Sequence, residues 1–169
     1  LATVQKRVRM MPDESSPETL PRHVFVYGTL RQTGSNDITR LQPAPRFIGR
    51  AVVAGVLYHL GAYPGLVLAR GESADACGGS ESNRGAEVQG ELLSHVQGEV
   101  YAITPALESI LDEIEGLGAH PTDEYTKRDI AVTVHGQTRL CLVYEINPRY
   151  VASARAIGHG DWLLAVHGG

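Results

Sequence analysis

Cysteine is nearly missing from this chain: its 169 residues hold two, Cys77 and Cys141. That is too few for a disulfide framework. Cys77 lies in a Gly/Ser-rich stretch, and Cys141 in an apolar strand pattern where a small buried hydrophobe is its default role. The cysteines therefore favour a reduced, cytoplasmic setting. Long apolar runs are absent too. None approaches the ~18 residues that cross a bilayer, so no transmembrane helix is expected. The first 23 residues carry basic side chains but no apolar h-region, so no secretory signal is expected there. Nor does one charge sign dominate: 15 Lys and Arg stand against 19 Asp and Glu, a net charge of −4. The longest basic cluster is Lys6, Arg7 and Arg9, in a segment without apolar periodicity that reads as a solvated tail. A nucleic-acid partner needs a concentrated basic surface, and none is expected here. The seven histidines form no His-x-x-x-His or Cys/His grouping, which argues against a metal site. Gly-x-Gly-x-x-Gly and Gly-Lys-Ser/Thr nucleotide loops are both missing.

What remains is the composition of one ordinary domain, 43% hydrophobic and 20% charged, long enough to bury a core. Residues 1–22, with Pro12, Pro17 and Pro21 among acidic and Ser residues, read as a flexible extension. The domain is expected over 23–169. Its first strand is His23–Tyr27, stopping at Gly28. Arg46–Leu60 is strand-like, with Gly49 and Gly55 as candidate bulges or bends. Gly65–Ala69 is a short buried strand. Residues 71–91, rich in Gly, Ser and acidic side chains, read as a loop insertion. A strand resumes over Gln97–Ile103. One clear helix follows, with Thr104 as N-cap, Pro105 at its first position and Gly116 as its stop. Leu107, Ile110, Leu111 and Ile114 make its apolar face. A hairpin, Glu124–Val134 and Thr138–Ile146, turns around His135-Gly136-Gln137. The sum is an α+β domain with a mainly antiparallel sheet or small barrel.

Two places carry candidate chemistry. The first is Tyr27-Gly28-Thr29-Leu30-Arg31, where a buried strand runs straight into Gly-Thr. Backbone N–H groups after such a strand can hold a carboxylate or a developing oxyanion; a plain strand-to-turn junction is the competing reading. The second is Glu115. At ~100° per residue it lies nearer the apolar stripe than Glu108, Asp112 or Glu113, which point further toward water. Partial burial and the helix C-terminus should both raise its pKa, as suits a proton shuttle near neutrality. An ordinary solvated helix-end Glu is the alternative.

Tyr27-Gly28-Thr29-Leu30-Arg31, Gly98-Glu99-Val100-Tyr101, Leu111-Asp112-x-x-Glu115-Gly116, Tyr125-x-x-Arg128 and Gly160-Asp161-Trp162 together resemble the γ-glutamylcyclotransferase-like family. The likeness is greatest to its γ-glutamylamine cyclotransferase and AIG2-like branch, and it spans about residues 23–165. The resemblance implies a small mixed, mainly antiparallel β-barrel with flanking helices. It implies that Tyr27, Gly28, Thr29 and Leu30 hold the glutamyl end of a substrate, that Glu115 is the catalytic glutamate and that Tyr125 lines the pocket. The implied reaction closes a γ-glutamyl group to 5-oxoproline and frees an amine. It needs no cofactor, and its partner is a small γ-glutamyl molecule. The residues leave a second class open, a non-catalytic module that uses the same cleft to bind a small metabolite or peptide end. Oligomeric state is not legible in the sequence.

Overall fold

The first strand of the domain is also the middle of its sheet. In the computed structural model, which describes residues 21–69 and 94–168, β1 (Arg22–Val26) pairs antiparallel with β4 (Ser94–Ile103) and parallel with β6 (Gln137–Ile146). Residues 1–20 of the expected extension, and the 71–91 insertion with Cys77, lie outside the described residues. The remaining strands are β2 (Arg46–His59), β3 (Pro64–Leu68), β5 (Tyr125–Val134) and the two-residue β7 (Arg155–Ala156). They complete a seven-stranded sheet in the order β3-β2-β4-β1-β6-β5, with β7 added to β2. Among the described residues only the β1–β6 pairing is parallel.

The sheet curls until β3 faces β6 and the start of β5. The Tyr125 hydroxyl donates to the Pro64 carbonyl at 2.8 Å, and the Leu68 N–H donates to Glu145 Oε2 at 2.8 Å. Side-chain bonds thus close what the backbone ladder leaves open, and the result is a half-barrel with two helices. The expected α+β barrel is the fold.

Side chains alternate across each strand, so β1 feeds two cores. Val24 and Val26 join Leu107, Leu111, Tyr101, Leu142 and Ile146 on one face. Phe25 and Tyr27 join Leu57, Leu66, Val96, Val100, Cys141 and Val143 on the other. Helix α1 (Pro105–Ile114) covers the first core, with Leu107 and Leu111 fully buried. Each such leucine contributes roughly 1.5–3 kcal/mol. Its N-cap is Thr104, whose Oγ1 accepts from the Leu107 N–H at 3.2 Å. The hairpin turns through His135 (φ 49°) and Gly136 (φ 75°), the paired positive φ values of a two-residue hairpin loop.

Several expectations change. The β2–β4 ladder slips between Phe47 and Gly49, as a bulge there requires, but Gly55 pairs regularly with Ser94 and Leu68. Ile114 is 37% exposed rather than packed in the core, because the end of α1 overhangs the mouth of a cleft. Asp112 does not face open water: it accepts from the Tyr144 hydroxyl at 2.7 Å and from Lys127 Nζ at 3.0 Å. The tail holds a second helix, α2 (Trp162–His167), and β7, neither of which the sequence pattern marks.

Candidate active site

The cleft lies where β1 ends, and its shape starts with a loop locked by its own carbonyls. Gly28 O accepts from Arg31 N at 3.1 Å, Thr29 O from Asn36 N at 3.0 Å and Leu30 O from Ile38 N at 3.0 Å. In a planar trans peptide the C=O and the next N–H point in opposite directions. The N–H groups of Thr29 and Leu30 therefore turn away from the partners that hold those carbonyls. Gly28 is required by a close approach: a Cβ there would stand 2.5 Å from Pro64 Cγ, at the start of β3.

Glu115 lines the same cleft. It is the residue at which α1 stops, with φ −88° and ψ 7°. Leu117 N donates to Asp112 O at 2.7 Å and Gly116 N to Glu113 O at 3.2 Å, the pair of bonds that ends a helix on a left-handed glycine. Gly116 supplies that conformation at φ 73°. The helix end therefore fixes where the Glu115 backbone stands, and its half-buried side chain lines the cleft.

The cleft has a volume of about 260 Å³ and is lined by Tyr27, Gly28, Thr29, Leu30, Glu115 and Tyr125. Every candidate site residue read from the sequence thus lies on one concavity. Tyr63, Glu124, Tyr144 and Asn36 line it as well, and sequence reasoning did not select them. Tyr63 stands immediately before β3 and carries no local signal that marks it as a site residue. Glu124 precedes a strand and carries no local signal.

Most hydroxyls in the cleft are already committed. Tyr27 donates to the Tyr144 carbonyl at 2.6 Å, Tyr125 to the Pro64 carbonyl at 2.8 Å and Tyr144 to Asp112. Burial raises the pKa of all three phenols, and the Glu115 charge adds to each rise. They remain neutral walls. Burial also pushes the Glu115 carboxyl up to about 7, helped by the nearby Glu124 carboxylate. No Lys, Arg or His lines the cleft among the described residues. Nor do three or more His, Cys, Asp or Glu side chains gather as a metal site would. No helix of the described residues is long and apolar enough to cross a membrane.

The model of the gamma-glutamyl cyclotransferase, AIG2-like family matches residues 24–164. The chain belongs to that family. Among solved structures it is similar to an AIG2-like protein from Mus musculus, at 20% identity and a TM-score of 0.56, covering 84% of this chain and 88% of that one. It is also similar to YkqA from Bacillus subtilis, at 22% identity and a TM-score of 0.57, covering 89% of this chain. This chain spans 44% of the length of YkqA. An uncharacterised protein, PH0828 from Pyrococcus horikoshii, matches at 17% identity and a TM-score of 0.52, covering 87% of this chain and 97% of that one. At these identities the structures show a shared fold. No curated protein matches this chain in sequence.

The cyclotransferase-like motifs divide into those that line the cleft and those that hold its wall. Arg31 is buried, and its guanidinium lies 3.4 Å from Glu99 Oε1 and 2.8 Å from Asp161 Oδ1. Glu99 also accepts from the Gln32 N–H at 3.0 Å and the Tyr101 hydroxyl at 2.8 Å. Asp161 caps α2, accepting from Leu163 N at 3.0 Å. Arg31, Glu99 and Asp161 thus tie the 28–31 loop to β4 and α2. They line no part of the cleft. Tyr125 stands between the two groups, its ring in the cleft and its hydroxyl closing the barrel.

Proposed function

We propose that this protein is a γ-glutamyl cyclotransferase that converts a γ-glutamyl amine or γ-glutamyl amino acid to 5-oxoproline and the free amine. The observation that carries the reading is the place of Glu115: in a chain of the gamma-glutamyl cyclotransferase, AIG2-like family, it lines one cleft together with the locked Tyr27–Leu30 junction, and burial raises its pKa to about 7.

The substrate holds both reactants. Its α-nitrogen attacks its own γ-carbonyl carbon and closes a five-membered ring, so the protein's main work is to enforce the folded conformer. The α-ammonium must first lose a proton. Glu115 takes it, the C–N bond of the ring forms, and the carbonyl oxygen becomes an oxyanion. The N–H groups of the 28–30 loop are the donors for that oxyanion, at ~3 kcal/mol for each well-placed one. As the tetrahedral centre collapses, the bond to the leaving nitrogen breaks and Glu115 hands its proton to that nitrogen. The second proton lost by the ring nitrogen also ends on the released amine. A pKa near the working pH suits a group that must both take and return a proton. Tyr27 and Tyr125, their hydroxyls engaged elsewhere, act as walls that orient the glutamyl chain.

The cleft's charge supports one class of leaving group. Among the described residues it carries Glu115 and Glu124 and no cation, which disfavours a leaving group that ends in a carboxylate and favours an amine. We read the protein as acting in the reduced cytoplasm on such small molecules. The test is to incubate it with a panel of γ-glutamyl amines and dipeptides and assay 5-oxoproline. Release from at least one amine supports the reading. Binding without release across the panel would return the cleft to the non-catalytic class.

A further inference from the structure

The cleft holds a second carboxylate that the reaction above does not use. Glu124 immediately precedes β5, and its carbonyl accepts from Asn147 N at 2.7 Å. Its Oε1 accepts from the Tyr63 hydroxyl at 2.5 Å. Neither bond supplies a positive charge, and among the described residues no ion pair joins Glu124 to a basic side chain. The hydroxyl holds the carboxylate in place on the cleft wall.

We propose that Glu124, held by Tyr63, is a positioning residue whose charge decides how acidic the solution can become before Glu115 stops acting as a base. The proposal rests on the cyclotransferase reading for its consequence in turnover, but the electrostatic coupling stands without it.

The surroundings of Glu115 leave Glu124 as the charge that matters. The same cleft is lined by Tyr27, Tyr63, Tyr125 and Tyr144, all phenols, and the Glu115 charge acts on Tyr27, Tyr125 and Tyr144. On its own helix, Glu108 pairs with Arg22 at 2.9 Å and with Lys127 at 2.6 Å, Asp112 pairs with Lys127 at 3.0 Å, and Glu113 is exposed to solvent. Arg128 is committed to Glu145 at 3.2 Å. Like charges in one site disfavour each other's ionised form, so the Glu124 carboxylate keeps a proton on Glu115 that burial already favours. A substrate ammonium entering between the two carboxylates has the opposite effect. It stabilises the ionised form of Glu115, so the base is generated where and when the cation binds.

The test follows the carboxyl resonance of Glu115 by carbon-13 NMR in glutamate-labelled protein without substrate, assigned by its loss in Glu115→Gln. In the unaltered chain the titration midpoint should lie near 7, and it should fall as salt is raised from low to high, because the cleft is open to screening ions. In Glu124→Gln the midpoint should fall by about one pH unit and lose its salt dependence. Glu124→Asp, which keeps the charge, should restore most of the shift. The acid limb of kcat/KM should move down with the midpoint, so Glu124→Gln retains more of its maximal rate at pH 6 than the unaltered protein does. A midpoint unchanged in Glu124→Gln, or insensitive to salt in the unaltered chain, overturns the proposal. Where Glu124→Gln does not fold, the salt titration of the unaltered chain decides. A shifted midpoint with no 5-oxoproline from any substrate keeps the coupling and removes the cyclotransferase reading; turnover with an unshifted midpoint does the reverse.

Discussion

Glu115 is held in its cleft at a thermodynamic cost that can be measured. Its pKa rises from an ordinary 4.5 to about 7, chiefly through burial. Below pH 4.5 both the folded and unfolded chains carry the proton, and the group is neutral to stability. As pH rises toward 7 the unfolded chain releases the proton first, so stability is lost through this window and the loss is complete above it. Glu115→Gln cannot ionise and escapes that loss. At pH 8 the variant should be more stable than the unaltered protein by up to about 3 kcal/mol, and at pH 4 nearly equal to it. Urea melts at the two pH values read this directly; a variant less stable at pH 8 would contradict the burial argument. A second residue-scale prediction concerns Gly28. Its substitution by Ala drives a Cβ against the Pro64 ring, and should cost about 1–3 kcal/mol in urea melts while also narrowing the cleft.

At the scale of elements, α1 and the β5–β6 hairpin were legible because their signals are local. Thr104, Pro105 and Gly116 mark the helix, and His135-Gly136 marks the turn. Helix α2 was not legible, for a physical reason. It spans six residues, it buries Trp162, and its cap is a residue with two tasks. Asp161 accepts from the α2 N–H groups and also from Arg31, which is 130 positions away in the chain. Such a contact leaves no periodic trace. It also explains why the Gly160-Asp161-Trp162 motif carries family likeness without lining the cleft. Asp161→Ala removes a cap and leaves buried Arg31 with Glu99 as its remaining carboxylate. Because Glu99 still compensates the Arg31 charge, a loss of about 2–3 kcal/mol is expected in chemical denaturation, with Asp161→Asn milder because it still caps the helix. A loss below about 1 kcal/mol would mean that the Arg31 network does not hold the 28–31 loop.

The site itself exists only at the scale of the whole molecule. Tyr27–Leu30 and Glu115 could be read as two separate signals, yet nothing in their spacing says that they face one another. Curling of the sheet brings the start of β5 and the β2–β3 turn to the same mouth, which is how Glu124 and Tyr63 enter a cleft they could not announce. The resulting pair of carboxylates, with no cation beside them among the described residues, predicts substrate choice. kcat/KM should be higher for a γ-glutamyl amine with a cationic leaving group than for glutathione, and the advantage should shrink at high salt. Equal values for the two substrates would place selectivity outside this cleft. The central claim is that Glu115 moves the protons of an intramolecular cyclisation. Its most direct test is 5-oxoproline release from the best γ-glutamyl amine by the unaltered protein and by Glu115→Gln, side by side at pH 8, with binding of the same substrate measured separately. The account predicts that the variant binds with similar affinity and turns over ~10²–10⁴-fold more slowly; turnover within a few-fold of the unaltered protein would contradict it.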